Sequence, residues 1–131
     1  HVFAALILKI LIAKKKNESK VNVWGSGEPK REFLHVDDLA DACLFLMKNY
    51  NSSKHINVGW GKDISINELA LLISDVMNHK VEVINDKSKL DGTMLKKLDC
   101  SKLENLGWKP KITLKNGIEM IYQELENKIN V

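Results

Sequence analysis

Two side chains near the start of this 131-residue chain have the types and spacing to act together on one small polar ligand. His1 carries an imidazole at the start of an apolar run. Lys9 is the sole charge in the apolar run from Val2 to Ala13, where an ammonium needs either a partner or a route along its own stem to water. Eight residues of helix rise about 12 Å and end roughly 80° around from the start. Both groups therefore fall on one broad face, spaced to meet the two ends of a ligand. A third candidate stands out by composition. Among 20 basic residues, Arg31 is the one arginine. Its planar fork can grip phosphate oxygens two at a time, or pair with the neighbouring Asp37 or Glu32.

Several other chemistries lack their residues. Gly25-Ser26-Gly27 and Gly59-Trp60-Gly61 each follow an expected strand. Neither has a third glycine or opens directly into a helix, so neither makes a dinucleotide fingerprint. There is no phosphate-binding Walker loop, no Gly-x-Ser-x-Gly elbow and no histidine spacing suited to a metal. The two cysteines, Cys43 and Cys100, are too few for a disulfide scaffold and have no Cys-x-x-Cys spacing, so a reduced, cytoplasmic setting is expected. A formal net charge of +3 is spread over nineteen lysines, and with twelve asparagines it reads as drift in composition. Such scattered ammonium charge does not predict nucleic-acid binding. The apolar run at the start is shorter than the roughly 20 residues a spanning helix needs. Its lysines follow it, opposite to a secretory signal, so no membrane role is expected. A chain that opens on His1 without methionine reads as a processed product or a piece of a longer one.

The elements that must position these groups alternate between helix and strand, which predicts an α/β fold in a single unit spanning residues 1–131. A helix is expected from Val2 to Lys16, with Lys14, Lys15 and Lys16 as a solvated, dipole-compensating end. Lys20–Trp24 alternates as a strand, and Gly25–Pro29 is a loop. Glu32–His35 should extend into a helix opened by Asp37 and Asp38, which read as helix-start residues. Leu39, Ala40, Cys43, Leu44 and Met47 form its inward stripe. Strands follow at His55–Val58 and Lys80–Ile84. Capping boxes are read at Ser65 with Glu68, and at Ser101 with Glu104 on a short helix stopped by Gly107. The first of these helices buries Ile66, Leu69, Leu72, Ile73 and Val76. A last helix from Leu114 lines up Ile118, Ile121, Tyr122, Leu125 and Ile129.

The stretch Val23-Trp24-Gly25-Ser26-Gly27-Glu28-Pro29-Lys30-Arg31-Glu32-Phe33-Leu34-His35-Val36-Asp37-Asp38 carries a resemblance. Its Arg-x-Phe-x-His-Val-Asp-Asp core is similar to nucleotide-sugar epimerases and dehydratases, which are extended short-chain dehydrogenases/reductases. With the preceding Trp-Gly-Ser-Gly it resembles their GDP-L-fucose synthase family. His55–Gly59, Asp91-Gly92-Thr93, Lys96 and Leu106-Gly107-Trp108 continue the likeness in order. The resemblance implies the C-terminal substrate-binding region of an extended Rossmann-type enzyme, without the N-terminal half that holds the glycine-rich turn and the Tyr-x-x-x-Lys set. It implies a GDP-sugar substrate, NADP(H) in the complete enzyme, and a homodimer. His1 is then the proton donor and a cofactor contact; its family partner, a cysteine, aligns with neither cysteine here. Lys9 stands where the family tends to arginine, and the spacing from His1 would suit a sugar at one end and a diphosphate at the other. Trp24 contacts substrate, or else is an ordinary core tryptophan. Arg31 and Lys96 meet phosphate, and Asp91 meets the ribose or the guanine edge. No metal is implied, and this piece alone is expected to be inactive.

Overall fold

The computed structural model describes residues 1–126 and is an α/β structure of five helices and five short strands within that range. Helix α1 (Val2–Lys16) buries Leu6, Ile7, Ile10, Leu11 and Ala13, while Val2 and Leu8 stay at the surface. Asn17 ends it in a left-handed conformation, φ 54°. The lysine end is only partly solvated: Lys14 Nζ donates to the Met77 carbonyl and to the Tyr122 hydroxyl, each at 2.7 Å. A cation placed at a helix C-terminus can bond neighbouring carbonyls as well as oppose the dipole.

Strand β1 (Lys20–Trp24) alternates outward and inward, burying Val21 and Val23. It pairs in parallel with β4 (Glu82–Asp86), from Lys20 opposite Glu82 to Trp24 opposite Asp86. β4 starts two residues later than the alternation of Val81 and Val83 predicted. A second sheet has β2 (Lys30–Glu32) at its centre, antiparallel to β3 (Asp63–Ser65) and parallel to β5 (Leu95–Lys96). Extension therefore ends at Glu32 instead of starting there, because the partners that satisfy the backbone lie beside Lys30–Glu32.

Helix α3 (Ile66–Val76) forms the expected box: Ser65 accepts from the Glu68 N–H at 3.2 Å, and the Glu68 carboxylate accepts from the Ser65 N–H at 2.9 Å. Its Leu69, Ala70 and Ile73 meet α1 and α5 (Leu114–Glu126) in the main core, where Ile118 is buried and Ile121, Tyr122 and Leu125 pack alongside. Each fully buried large aliphatic here contributes about 1.5–3 kcal/mol. Ile129 lies outside the described residues.

Three expectations fail, each for a local reason. Helix α2 (Val36–Asn49) turns its supposed inner stripe outward: Leu44 and Met47 are 59% and 82% exposed, and Leu39 and Cys43 are also exposed. Buried instead are Asp38 and Ala42, against a second small cluster with Leu103 and Trp108. The carboxylate explains the rotation, because Asp38 accepts from the N–H groups of Lys111 (3.1 Å) and Ile112 (2.8 Å), while Asp41 accepts from Trp108 Nε1 at 2.9 Å. A helix that supplies those acceptors must face them inward. His55–Val58 forms no strand; Ile56 and Val58 pack on the second cluster, and the Asn57 amide reaches the Asp99 carbonyl at 3.0 Å. Helix α4 (Ser101–Asn105) has no Ser101 box: its N-cap is Cys100, and the Ser101 N–H is taken by the Asp99 carboxylate at 3.0 Å. No described helix is long and apolar enough to cross a membrane.

Candidate functional site

The α1 face, the outer end of β1, β2 and the segment around residues 90–96 enclose a cleft of about 760 Å³. His1, Lys9, Trp24, Arg31, Asp91 and Lys96 all line it, so residues separated by as much as 95 positions in sequence converge on one site. His1 sits at the N-cap of α1 and is exposed. Lys9 leans across to β1, its Nζ donating to the Asn22 carbonyl at 2.8 Å and lying 5.7 Å from the centre of the Trp24 ring. The alternation of β1 turns Trp24 outward with 69% of its surface exposed, so it takes no part in the core of this chain. An exposed indole beside an ammonium gains only about 0.5–1 kcal/mol from the contact, so its open position calls for another explanation.

Arg31 and Lys96 are register partners across the parallel β2–β5 pair. Like charges directly opposite one another are destabilising unless an anion shares them. One edge of the guanidinium is already spent: Arg31 Nη1 donates to the carbonyls of Lys30 (2.7 Å) and Thr93 (2.6 Å). That anchoring leaves Nη2, the nitrogen nearest Gly92, on the other side of the fork. Among the described residues, neither acidic neighbour forms an ion pair with Arg31. Glu32 accepts from the Gly61 N–H at 2.8 Å, and Asp37 faces His35 at 3.7 Å.

Asp91 Oδ1 accepts from the Ser26 N–H at 2.8 Å, so this carboxylate fastens the loop after β1 as well as lining the cleft. The approach needs glycine: at Gly25, φ +79°, a Cβ would stand 2.2 Å from Asp91 Oδ1. Asp86, opposite Trp24 in the ladder, is held below its ordinary carboxylate range by the Ser88 hydroxyl and N–H, with Lys89 adding to the effect. Lys89 Nζ also stands 5.7 Å from the Trp24 ring. Lys89, the Thr93 carbonyl and Asn67 behind the loop are parts of the site that sequence reasoning missed; the two close glycines, Gly25 and Gly27, were the available signal.

The glycine triplets do not form a pyrophosphate cradle. The N–H of Gly25 goes to the Asp86 carbonyl, that of Ser26 to Asp91 and that of Glu28 to the Ser26 hydroxyl, while Gly61 gives its N–H to Glu32. Among the described residues, these amides are consumed internally, so they do not fit the diphosphate bridge of a dinucleotide. Neither cysteine lines the cleft: Cys43 is exposed on α2, and Cys100 is buried, its thiol pushed up by that burial and by the nearby Glu32, Glu104 and Asp99.

Residues 1–59 match the NAD dependent epimerase/dehydratase family. GDP-L-fucose synthase 1 of Arabidopsis thaliana is 46% identical over 122 residues, covering 93% of this chain and 38% of that protein. The GDP-L-fucose synthase of Escherichia coli K12 is 44% identical over 138 residues, covering 98% of this chain and 43% of its own length. A crystal structure of a GDP-L-fucose synthetase from Naegleria fowleri bound to NADP superposes with a TM-score of 0.86 at 30% identity, over 97% of this chain and 40% of that one. The chain thus spans about two fifths of the length of these relatives.

Proposed function

We propose, from the premise that this chain is a partial-length homologue of GDP-L-fucose synthase in the NAD-dependent epimerase/dehydratase family, that its cleft binds the GDP-keto sugar of that reaction. The substrate is GDP-4-keto-6-deoxymannose. Its ketone acidifies the hydrogens on the flanking carbons, which invert through enolates before carbon 4 is reduced. Reprotonation needs an acid that titrates near neutrality, and His1 at the mouth of the cleft takes that role. NADPH supplies the hydride in the complete enzyme. The residues described here offer no cradle for its diphosphate bridge, so no step is derived through it.

The observation that carries the reading is the Arg31–Lys96 register pair. Two adjacent cations, one with a guanidinium edge already anchored, are suited to the diphosphate between nucleoside and sugar. Lys9 extends this positive lining toward Trp24, whose open indole offers a flat surface for the sugar or base. Asp91, through the oxygen not given to Ser26, accepts from ribose hydroxyls or the guanine edge. The chain is the C-terminal, substrate-binding region in this reading. The dinucleotide-binding remainder then covers the exposed face of α2 and pairs with the strandless segment 55–58. The parent is a cytoplasmic homodimer, and this region alone does not turn over substrate.

Calorimetry with GDP, UDP and dTDP tests the reading. GDP should bind the chain most tightly, and a preference for uracil or thymine nucleotides would move the assignment to another nucleotide-sugar epimerase or dehydratase. No binding of any of the three would leave a chain that needs its remainder even to bind, and would sink the claim that this region recognises substrate.

A further inference from the structure

The cleft is built across a joint. Trp24 ends β1 in the first sheet, whereas Arg31 and Lys96 lie in the second, and the loop Gly25–Pro29 is the covalent link between them. Whatever holds that loop sets the gap between the indole and the paired cations.

The start of α3 holds it from behind, with the Ile66 N–H donating to the Pro29 carbonyl at 3.1 Å. Asn67, in the first turn of α3, donates its backbone N–H to the Gly27 carbonyl at 3.0 Å and its Nδ2 to the Ser26 carbonyl at 3.2 Å. The same amide forms a reciprocal pair with Asn85 of β4: Asn67 Nδ2 to Asn85 Oδ1 at 3.2 Å and Asn85 Nδ2 to Asn67 Oδ1 at 3.0 Å. Because α3 continues directly from β3, this amide pair ties the second sheet to the first. The fit is close: at Gly27, φ +76°, an added Cβ would lie 2.0 Å from Asn67 Oδ1. Asp91 holds the opposite side of the loop through the Ser26 N–H. None of these Asn67 atoms belongs to the lining of the cleft.

We propose that Asn67, braced by Asn85, is a positioning residue that fixes the distance from Trp24 to the Arg31–Lys96 pair and so sets the length of phosphate chain the cleft accepts. The inference rests on the nucleotide-sugar reading above for the class of ligand. It makes the cleft a ruler: with the base or sugar on the indole, a diphosphate reaches the paired cations, whereas a monophosphate falls short of one of them.

The test compares the wild-type chain with Asn67→Asp and Asn85→Leu. Asn67→Asp keeps the side-chain shape and the acceptor for Asn85 but removes the Nδ2 donor; Asn85→Leu removes the pair and leaves the Ser26 bond. Affinities for GMP and GDP are read by calorimetry, alongside the melting temperature. The wild type should prefer GDP. Asn67→Asp should cut that preference about five- to tenfold, the scale of one or two lost hydrogen bonds, and Asn85→Leu by less. GMP affinity should stay nearly constant, while the melting temperature falls by a few degrees for the lost hydrogen bonds. An unchanged GDP-to-GMP ratio, or a proportional loss of both ligands with falling stability, overturns the proposal. Amide exchange supplies a ligand-free reading: protection of the Ser26 N–H should fall about tenfold in Asn67→Asp, while the β1–β4 ladder, which the Gly25 N–H extends to the Asp86 carbonyl, keeps its own. Unaltered protection at Ser26 refutes the clamp even if no nucleotide binds, whereas failure of the wild type to bind any nucleotide counts against the functional reading alone.

Discussion

Along the cleft, cations and an indole face outward over a buried apolar core, while along α2 the apolar side chains face outward and two carboxylates are turned toward the protein. The first arrangement exposes groups that hold a small charged ligand without demanding one for solubility. The second exposes Val36, Leu39, Leu44 and Met47 on one helix, a cost in water that another polypeptide surface would relieve. Two faces of this chain thus differ in what they leave open to solvent.

The most forceful way to test their independence is to damage the core under one and watch the other. Trp108→Ala removes the largest side chain of the second cluster and the N–H donor to Asp41, and should cost about 3–5 kcal/mol in urea unfolding. Measured in the fraction still folded, GDP affinity should move less than twofold; a larger change would join the two faces into one cooperative unit. Arg31→Lys acts on the other side. Loss of the fork should weaken GDP about tenfold in calorimetry, near 1.4 kcal/mol, with little change in melting temperature. Equal affinity would remove Arg31 from the diphosphate site.

Acid provides a smaller probe. Hydrogen bonds from Trp108 and then Lys111 hold Asp41 below the usual carboxylate range, and Ser88 does the same for Asp86. A carboxyl whose folded pKa is depressed contributes stability above its unfolded value, about 3.9, and loses it as pH falls through the folded one. The urea midpoint should therefore decline below about pH 4, and Asp41→Asn should flatten the decline while Asp86→Asn alters it without affecting the second cluster. The mildest change is Leu44→Lys with Met47→Lys on α2. Stability should shift by no more than about 0.5 kcal/mol, while binding of a hydrophobic dye falls severalfold. Undiminished dye binding would place the exposed apolar surface elsewhere.

Legibility in the sequence followed the range of the forces involved. Helices α1, α3 and α5 and strand β1 were readable because apolar period and local caps decide them. The orientation of α2 was not, because it is set by hydrogen bonds to residues some seventy positions away, at Trp108, Lys111 and Ile112. Strands β3 and β5 are two or three residues long and exist through pairing with β2, which leaves no period to detect. In the candidate site, the six residues named from resemblance do share one cleft, and Arg31 was also marked by composition alone. Of the parts that were missed, Asn67 left a trace only in the glycine its amide crowds, while those of Lys89 and the Thr93 carbonyl are defined by what the fold brings next to them.

Helix α3 receives α1 on one side and α5 on another, so the first and last described helices complete the same core. During synthesis, the apolar side of α3 must wait for Leu114–Glu126 to emerge before it is covered. Most of the cleft residues precede α3 in sequence, yet part of their support comes from α5, after it. A ribosome-bound chain that has not yet made α5 should accordingly display the cleft residues on an unfinished scaffold, prone to capture by chaperones.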